Sequence, residues 1–220
     1  MLHEMECSEI WGGHRGDELD VRTSGVRGSL FCRACDGGKG GDVYYFSVCD
    51  SGLLTRFALA DVMGHGSAVY DIRKWLYDSL TAHMNSSNGA QILSDLNKLA
   101  VEHGYRSIST VVVAAFYRTD ERLYFSYAGH HQGLLNRRGT SDWTTLAPEQ
   151  TDELVGLALG VDSEARFRQD DVPVSGGDRL FLYTDGVIDA HSPDGRLFGK
   201  DGLVGNLRET AGEDLEQVRT

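Results

Sequence analysis

The sequence contains no run of about 18 apolar residues, the length a membrane-spanning helix needs. Its opening, Met1-Leu2-His3-Glu4-Met5-Glu6-Cys7, lacks the basic stretch followed by an apolar one that marks a secretion signal. A cytoplasmic location and no membrane partner are the expectation. Basic residues are few: 21 Lys and Arg against 33 Asp and Glu, a formal net charge of −12. That balance disfavours nucleic acid and anionic membranes as partners. Proline is scarce as well, with three in 220 residues, so little interrupts the regular elements. The four cysteines of a cytoplasmic chain are expected to be reduced. Cys32 and Cys35 form one C-x-x-C, but no second pair follows at zinc-ribbon spacing. They also lie in a strand-like run, where residues three apart face opposite sides, so a structural zinc is not expected. No internal repeat, low-complexity tract or linker-like stretch is present.

What remains is a chain that is 40% apolar, enough for a sizeable core, with a length that suits one large domain or two small ones. It is organised around Ala60-Asp61-Val62-Met63-Gly64-His65-Gly66. An apolar run over residues 53–60 ends in an aspartate, a Gly-His-Gly turn follows, and then apolar residues recur at helical spacing: Ile72, Trp75, Leu76, Leu80 and Met84. The pattern is strand, carboxylate, turn, helix. A carboxylate at the end of a buried strand is costly unless something positive meets it. Two more aspartates stand in similar places, in Gly40-Gly41-Asp42 before a strand and in Tyr183-Thr184-Asp185-Gly186 after one. Asp42 alone reads as a cap and Asp185 alone as a turn; together with Asp61 they point to a hard-cation site for Mg2+ or Mn2+.

Along the rest of the chain, residues 1–24 are expected to form an irregular lead or a short edge strand. Strands are expected over 26–35, 42–49 and 53–60. A second amphipathic helix follows Asn88, which with Gln91 makes a loose capping box, and stops near Gly104. Strands return over 110–116, 123–128 and 133–136. Residues 139–164 read as loop, 165–172 as a strand, and 178–184 as a turn and apolar run. Helices follow Gly199 and Glu213. Strands, two helices, strands and helix is the order of antiparallel sheets covered by helices rather than of βαβ units. The glycine loop at 37–41 precedes a strand, so it fails as a phosphate loop. The turn at 64–66 precedes a helix and could seat an anion, but Asp61 at its mouth repels phosphate unless a metal intervenes.

A set of motifs runs in order through residues 28–205. It comprises Gly40-Gly41-Asp42; Asp61-Val62-Met63-Gly64-His65-Gly66; Ser109-Thr110 opening a buried strand; Tyr127-Ala128-Gly129-His130; Gly156-Leu157-Ala158-Leu159-Gly160; the stretch from Asp178 to Val187; and Phe198-Gly199. In this ordered set the chain resembles the bacterial PPM-type serine/threonine phosphatases of the stage II sporulation protein E and RsbU group. The resemblance implies an α+β fold, a four-layer αββα sandwich of two antiparallel sheets flanked by helices. Residues 1–27 would be the lead or edge strand and 28–220 the phosphatase domain.

The resemblance further implies two Mn2+ or Mg2+ ions bridged by Asp61, with the Val62 carbonyl as a further ligand and Asp42 and Asp185 holding one ion each. A metal-bound hydroxide would attack a phosphoserine or phosphothreonine directly, so no cysteine nucleophile is needed. His65 is either the proton donor to the leaving oxygen or a packed turn residue. His130 is expected to be structural, because the adjacent His131 cannot point to the same site from a strand. Thr110 and Thr184 are expected to hydrogen-bond near the carboxylates. The implied substrate is a phosphorylated regulatory protein, a STAS-type anti-sigma-factor antagonist; the oligomeric state is left open. The family's final strand, with an Asp-Asp-x-Thr-like segment carrying another metal ligand, has no match before Thr220: Asp189, Asp194, Asp201 and Asp214 do not fit it. Residues 1–27 are expected to hold no sensor domain, so that regulation comes from a partner or the sequence is one piece of a longer protein. The missing terminal aspartate motivates the alternative of a catalytically weak phosphatase-fold module that binds a partner protein. A nucleotide- or phosphate-binding module built on residues 64–66 is a third reading.

Overall fold

The computed structural model describes residues 2–13, 16–33, 40–49, 51–63, 70–83, 86–103, 108–148 and 156–218. They fall into two compact units, Met1–His130 with Pro148–Pro173, and His131–Ala147 with Val174–Thr220.

The first unit is built on a six-stranded antiparallel sheet of order β11-β8-β7-β6-β5-β2. Its strands are β2 (Glu9–Gly12), β5 (Asp42–Cys49), β6 (Leu54–Val62), β7 (Ser109–Tyr117), β8 (Arg122–Ala128) and β11 (Asp170–Pro173). The central strands are rich in Val, Ala, Tyr and Phe and read as near-continuous apolar runs because both faces are covered. Successive side chains alternate between the faces. One set, including Val43, Tyr45, Ala58, Ala60, Val111 and Val113, packs on two helices, α1 (Tyr70–Ala82) and α2 (Gly89–His103), through Leu76, Leu80, Ile92, Leu93 and Leu96. The other set includes Phe46, Val48 and Phe57. It packs on Met5, Val21 and Leu30 of a smaller sheet of order β1-β3-β4, formed by β1 (Leu2–Glu4), β3 (Asp17–Arg22) and β4 (Arg27–Cys32). Helices, large sheet and small sheet thus form three successive layers in this unit.

The ends of the two helices are fixed locally. Asn88 caps α2, its Oδ1 accepting the Gln91 backbone N–H at 3.0 Å, the bond expected of that pair. Arg56 sits on the helix-facing side of β6 and is 1% exposed. Its Nη1 donates to the carbonyl of His83 at 2.6 Å, just past the end of α1, where cations meet the negative end of a helix. Burial lowers the Arg56 pKa.

The second unit holds an antiparallel sheet of order β10-β9-β12, formed by β9 (Leu134–Asn136), β10 (Trp143–Thr145) and β12 (Arg179–Phe181). Helices α3 (Asp185–Ile188), α4 (Gly199–Glu209) and α5 (Leu215–Val218) follow. Its core is Leu134, Tyr183, Leu203 and Leu207. No helix among the described residues is long and apolar enough to cross a membrane.

The strands differ from the sequence-based expectation in four places. The lead forms three strands, not one, because short polar segments gain their order from long-range pairing rather than propensity. Strand β6 runs on to Val62, so Asp61 lies within a strand rather than after one. Strand β10 lies inside the stretch expected to be loop, and β11 begins at Asp170, later than expected. Cys7, Cys32 and Cys49 carry thiols; Cys35, the other half of the C-x-x-C, lies outside the described residues, as do Gly64, His65 and Gly66.

Candidate functional site

The β5–β6 hairpin turns just after Cys49, where the Gly52 N–H donates to the Cys49 carbonyl at 3.2 Å. Its register sets Asp42 directly opposite Asp61, and the β6–β7 register sets Asp61 opposite Thr110. Directly opposite residues of antiparallel strands project from the same face. Asp42, Asp61 and Thr110 therefore form a row across three strands, on the face away from α1 and α2. Beyond the row the backbone is still held: the Val62 N–H donates to Gly41 at 3.3 Å and the Met63 N–H to Ile108 at 3.1 Å. Both aspartates are half-buried. Two full charges about 5 Å apart repel by about 1 kcal/mol in water and about 3 kcal/mol at an effective dielectric of about 20. A positive group beside such a pair lowers that repulsion.

Two features fix Asp42 from outside its strand. Gly13, at φ +119°, lies so close that a β-carbon there would collide with the Asp42 carbonyl. Arg73 of α1, 2% exposed, donates from Nη1 to the Gly40 carbonyl at 3.2 Å. Cys32 donates its Sγ–H to the Gly13 carbonyl at 3.3 Å. Burial pushes the Cys32 thiol up to about 11, the charges of Asp42 and Asp17 add to the rise, and Arg73 opposes it. Cys32 is thus a protonated thiol at neutral pH.

Thr110 is tied in turn to His130, with Oγ1 and Nδ1 2.9 Å apart. His130 is 7% exposed. The adjacent His131 stacks instead on Tyr183, so the two neighbouring rings take separate partners.

The first unit therefore brings together Asp42, Asp61 and the buried Val62 beside it. Asp185 belongs to the second unit, where it is exposed and opens α3, its carbonyl accepting the Asp189 N–H at 2.8 Å. His65, the candidate proton donor, lies outside the described residues. Among the described residues no three His, Cys, Asp or Glu side chains are grouped as a metal cage. Sequence reasoning missed Arg73, although a signal existed: it falls in the apolar helical stripe with Ile72, Leu76 and Leu80, where a charge is out of place. It also left Trp11-Gly12-Gly13 without a role, because the approach of Gly13 to Asp42 joins residues far apart in the chain.

The sequence model of the stage II sporulation protein E (SpoIIE) family matches residues 52–220. Phosphoserine phosphatase RsbU of Bacillus subtilis (strain 168) is 27% identical over 161 residues, covering 71% of this chain and 45% of RsbU. The chain thus spans about half the length of that relative. Two solved structures are similar in fold. The SiaA-PP2C domain of Pseudomonas aeruginosa has a TM-score of 0.65 at 20% identity, over 82% of this chain and 70% of that one. RsbX in complex with magnesium has a TM-score of 0.68 at 13% identity, over 92% and 88%. The fold class expected from the sequence, the α+β αββα sandwich, is the class these likenesses fit. The match over residues 52–220 covers most of the sequence, and the chain belongs to the stage II sporulation protein E (SpoIIE) family.

Proposed function

We propose that this chain is a metal-dependent protein serine/threonine phosphatase acting on a phosphorylated regulatory protein. One observation carries the reading: Asp42 and Asp61 face each other across a ladder, half-buried, in a member of the SpoIIE family. Their donor set is all carboxylate oxygen, which suits Mg2+ or Mn2+. Asp61 and Asp42, with the Val62 carbonyl, are the proposed ligands that the first unit supplies to such ions. Bound ions would supply charge stabilisation at the phosphoryl oxygens and a water made acidic enough to act near neutral pH. The chain's own contribution is a rigid strand end that orients the carboxylates, with Gly13 and Arg73 fixing the Asp42 side. His65 is the proposed proton donor to the leaving serine or threonine oxygen.

The name of RsbU, a phosphoserine phosphatase, supports phosphoserine as the substrate group. A STAS-type anti-sigma-factor antagonist is the proposed protein that carries it. The test is phosphate release from a phosphoserine peptide with Mn2+ titrated in and EDTA as control. Saturable Mn2+-dependent turnover supports the reading, and no turnover from a folded sample that binds Mn2+ overturns it. That second outcome would leave the weakly catalytic partner-binding module.

A further inference from the structure

The row of Asp42, Asp61 and Thr110 does not end at Thr110. Its hydroxyl lies 2.9 Å from Nδ1 of His130, a ring 7% exposed. The backbone around that ring is closely determined. Gly129, at φ +64°, bridges Val111 of β7 in parallel and donates its N–H to the Gly156 carbonyl at 2.6 Å. A β-carbon on Gly129 would stand 2.9 Å from Ala158. The loop carrying Ala158 is itself anchored: Leu159 and Ser109 exchange hydrogen bonds of 2.9 and 3.3 Å, and the Gly160 N–H donates to Asn97 Oδ1 of α2 at 2.9 Å. So many backbone ties on one turn place the imidazole rather than merely fill space with it.

A threonine hydroxyl has one proton to give. If Nδ1 of His130 accepts that proton, Thr110 has none left for the Asp61 carboxylate, which the register sets opposite it. If Nδ1–H donates to Thr110 Oγ1, the hydroxyl keeps its own proton for the Asp61 side of the row. We propose that His130 is a positioning residue that acts through Thr110: its Nδ1–H orients the Thr110 hydroxyl, which in turn orients the Asp61 carboxylate for the cation. The cation part of this inference rests on the phosphatase reading; the proton arrangement does not. Partners that orient a metal ligand are typically worth about 10- to 100-fold in metal affinity or activity.

The experiment has two arms. Long-range 1H–15N correlation of the His130 ring, in EDTA at neutral pH, reads the tautomer without metal or turnover. The expected result is the Nδ1–H tautomer, and an Nε2–H ring overturns the inference. Calorimetric Mn2+ titration then compares Thr110→Val, Thr110→Ser, His130→Leu and the Thr110→Val/His130→Leu double variant. Thr110→Val and His130→Leu should each weaken Mn2+ binding about 10- to 100-fold, and the double variant should be no worse than the singles. Thr110→Ser, which keeps the hydroxyl, should bind like the parent. Parent-like binding by folded Thr110→Val overturns the inference. Thr110→Val is nearly isosteric and carries the test if His130→Leu does not fold. A parent protein that binds no Mn2+ counts against the phosphatase reading alone, because the tautomer still decides the arrangement of the Thr110 proton.

Discussion

Asp42 stands directly opposite Asp61 in the β5–β6 ladder, and both are half-buried. Like charges directly opposite one another repel across a strand pair. Gly13 against the Asp42 carbonyl and Arg73 on Gly40 hold the Asp42 side of the pair.

Neutralising either aspartate should stabilise the metal-free protein. In EDTA, Asp42→Asn and Asp61→Asn are expected to gain up to about 1 kcal/mol, a rise of about 2–4 °C in Tm. Mn2+ at a hundredfold excess over its Kd should stabilise the parent by about 2.7 kcal/mol and Asp61→Asn far less. Thermal melts with and without Mn2+ check both, and a parallel assay should find phosphate release abolished in folded Asp61→Asn. A destabilised Asp61→Asn in EDTA would count against the repulsive pair.

Gly13→Ala should lose about 1–3 kcal/mol, because the position is left-handed and its β-carbon meets the Asp42 backbone. The displacement falls on Asp42, so Mn2+ affinity should drop as well. A Gly16→Ala control, whose nearest neighbour to a new β-carbon is the Cys32 carbonyl at 3.8 Å, should change neither quantity much. Urea unfolding and calorimetry provide the comparison.

Cys32 should resist alkylation. With its thiol pushed up to about 11, chiefly by burial and then by Asp42 and Asp17, its thiolate is scarce at pH 8. Iodoacetamide should modify it about a hundredfold more slowly than an ordinary exposed thiol, whose pKa is about 8.5. Cys7, which is exposed, serves as the internal comparison in peptide mass mapping. Removing the Asp42 charge should speed the reaction at Cys32, and an unchanged rate would show that the carboxylate does not act on the thiol.

Asp178 accepts hydrogen bonds from Arg137 Nη1 at 2.8 Å, the Arg138 N–H at 2.9 Å and the Ser175 N–H at 3.1 Å. Burial alone would raise its pKa, but these bonds outweigh it and hold the carboxyl below its ordinary value. A carboxylate lowered in the folded state contributes its stability above the unfolded pKa of about 3.9 and loses it as pH falls through the folded value. Asp178→Asn should therefore cost about 1–3 kcal/mol near pH 7, with the difference from the parent shrinking below about pH 4. Melts from pH 3 to pH 8 check the sign; a gap that widens in acid would contradict it.

Much of this protein was legible without coordinates. The apolar, β-branched and aromatic runs that make β5 and β6, the 3.6-residue stripe of α1 and α2, and the Asn88 cap all depend on neighbours within a few positions. Local sequence carries that information because pleat and helix periods are properties of the backbone itself. The pairing of Asp42 with Asp61 is nearly local too, since one hairpin turn sets the register of both strands. Strands β1, β2 and β10 were not legible, for they are short and polar and owe their order to partners far along the chain. The tie from Thr110 to His130, the approach of Gly13 to Asp42 and the bond from Arg73 to Gly40 belong to the same class. They join residues 20 to 33 positions apart or on strands brought together by the sheet, and only burial of the whole sheet supplies the free energy that holds them side by side.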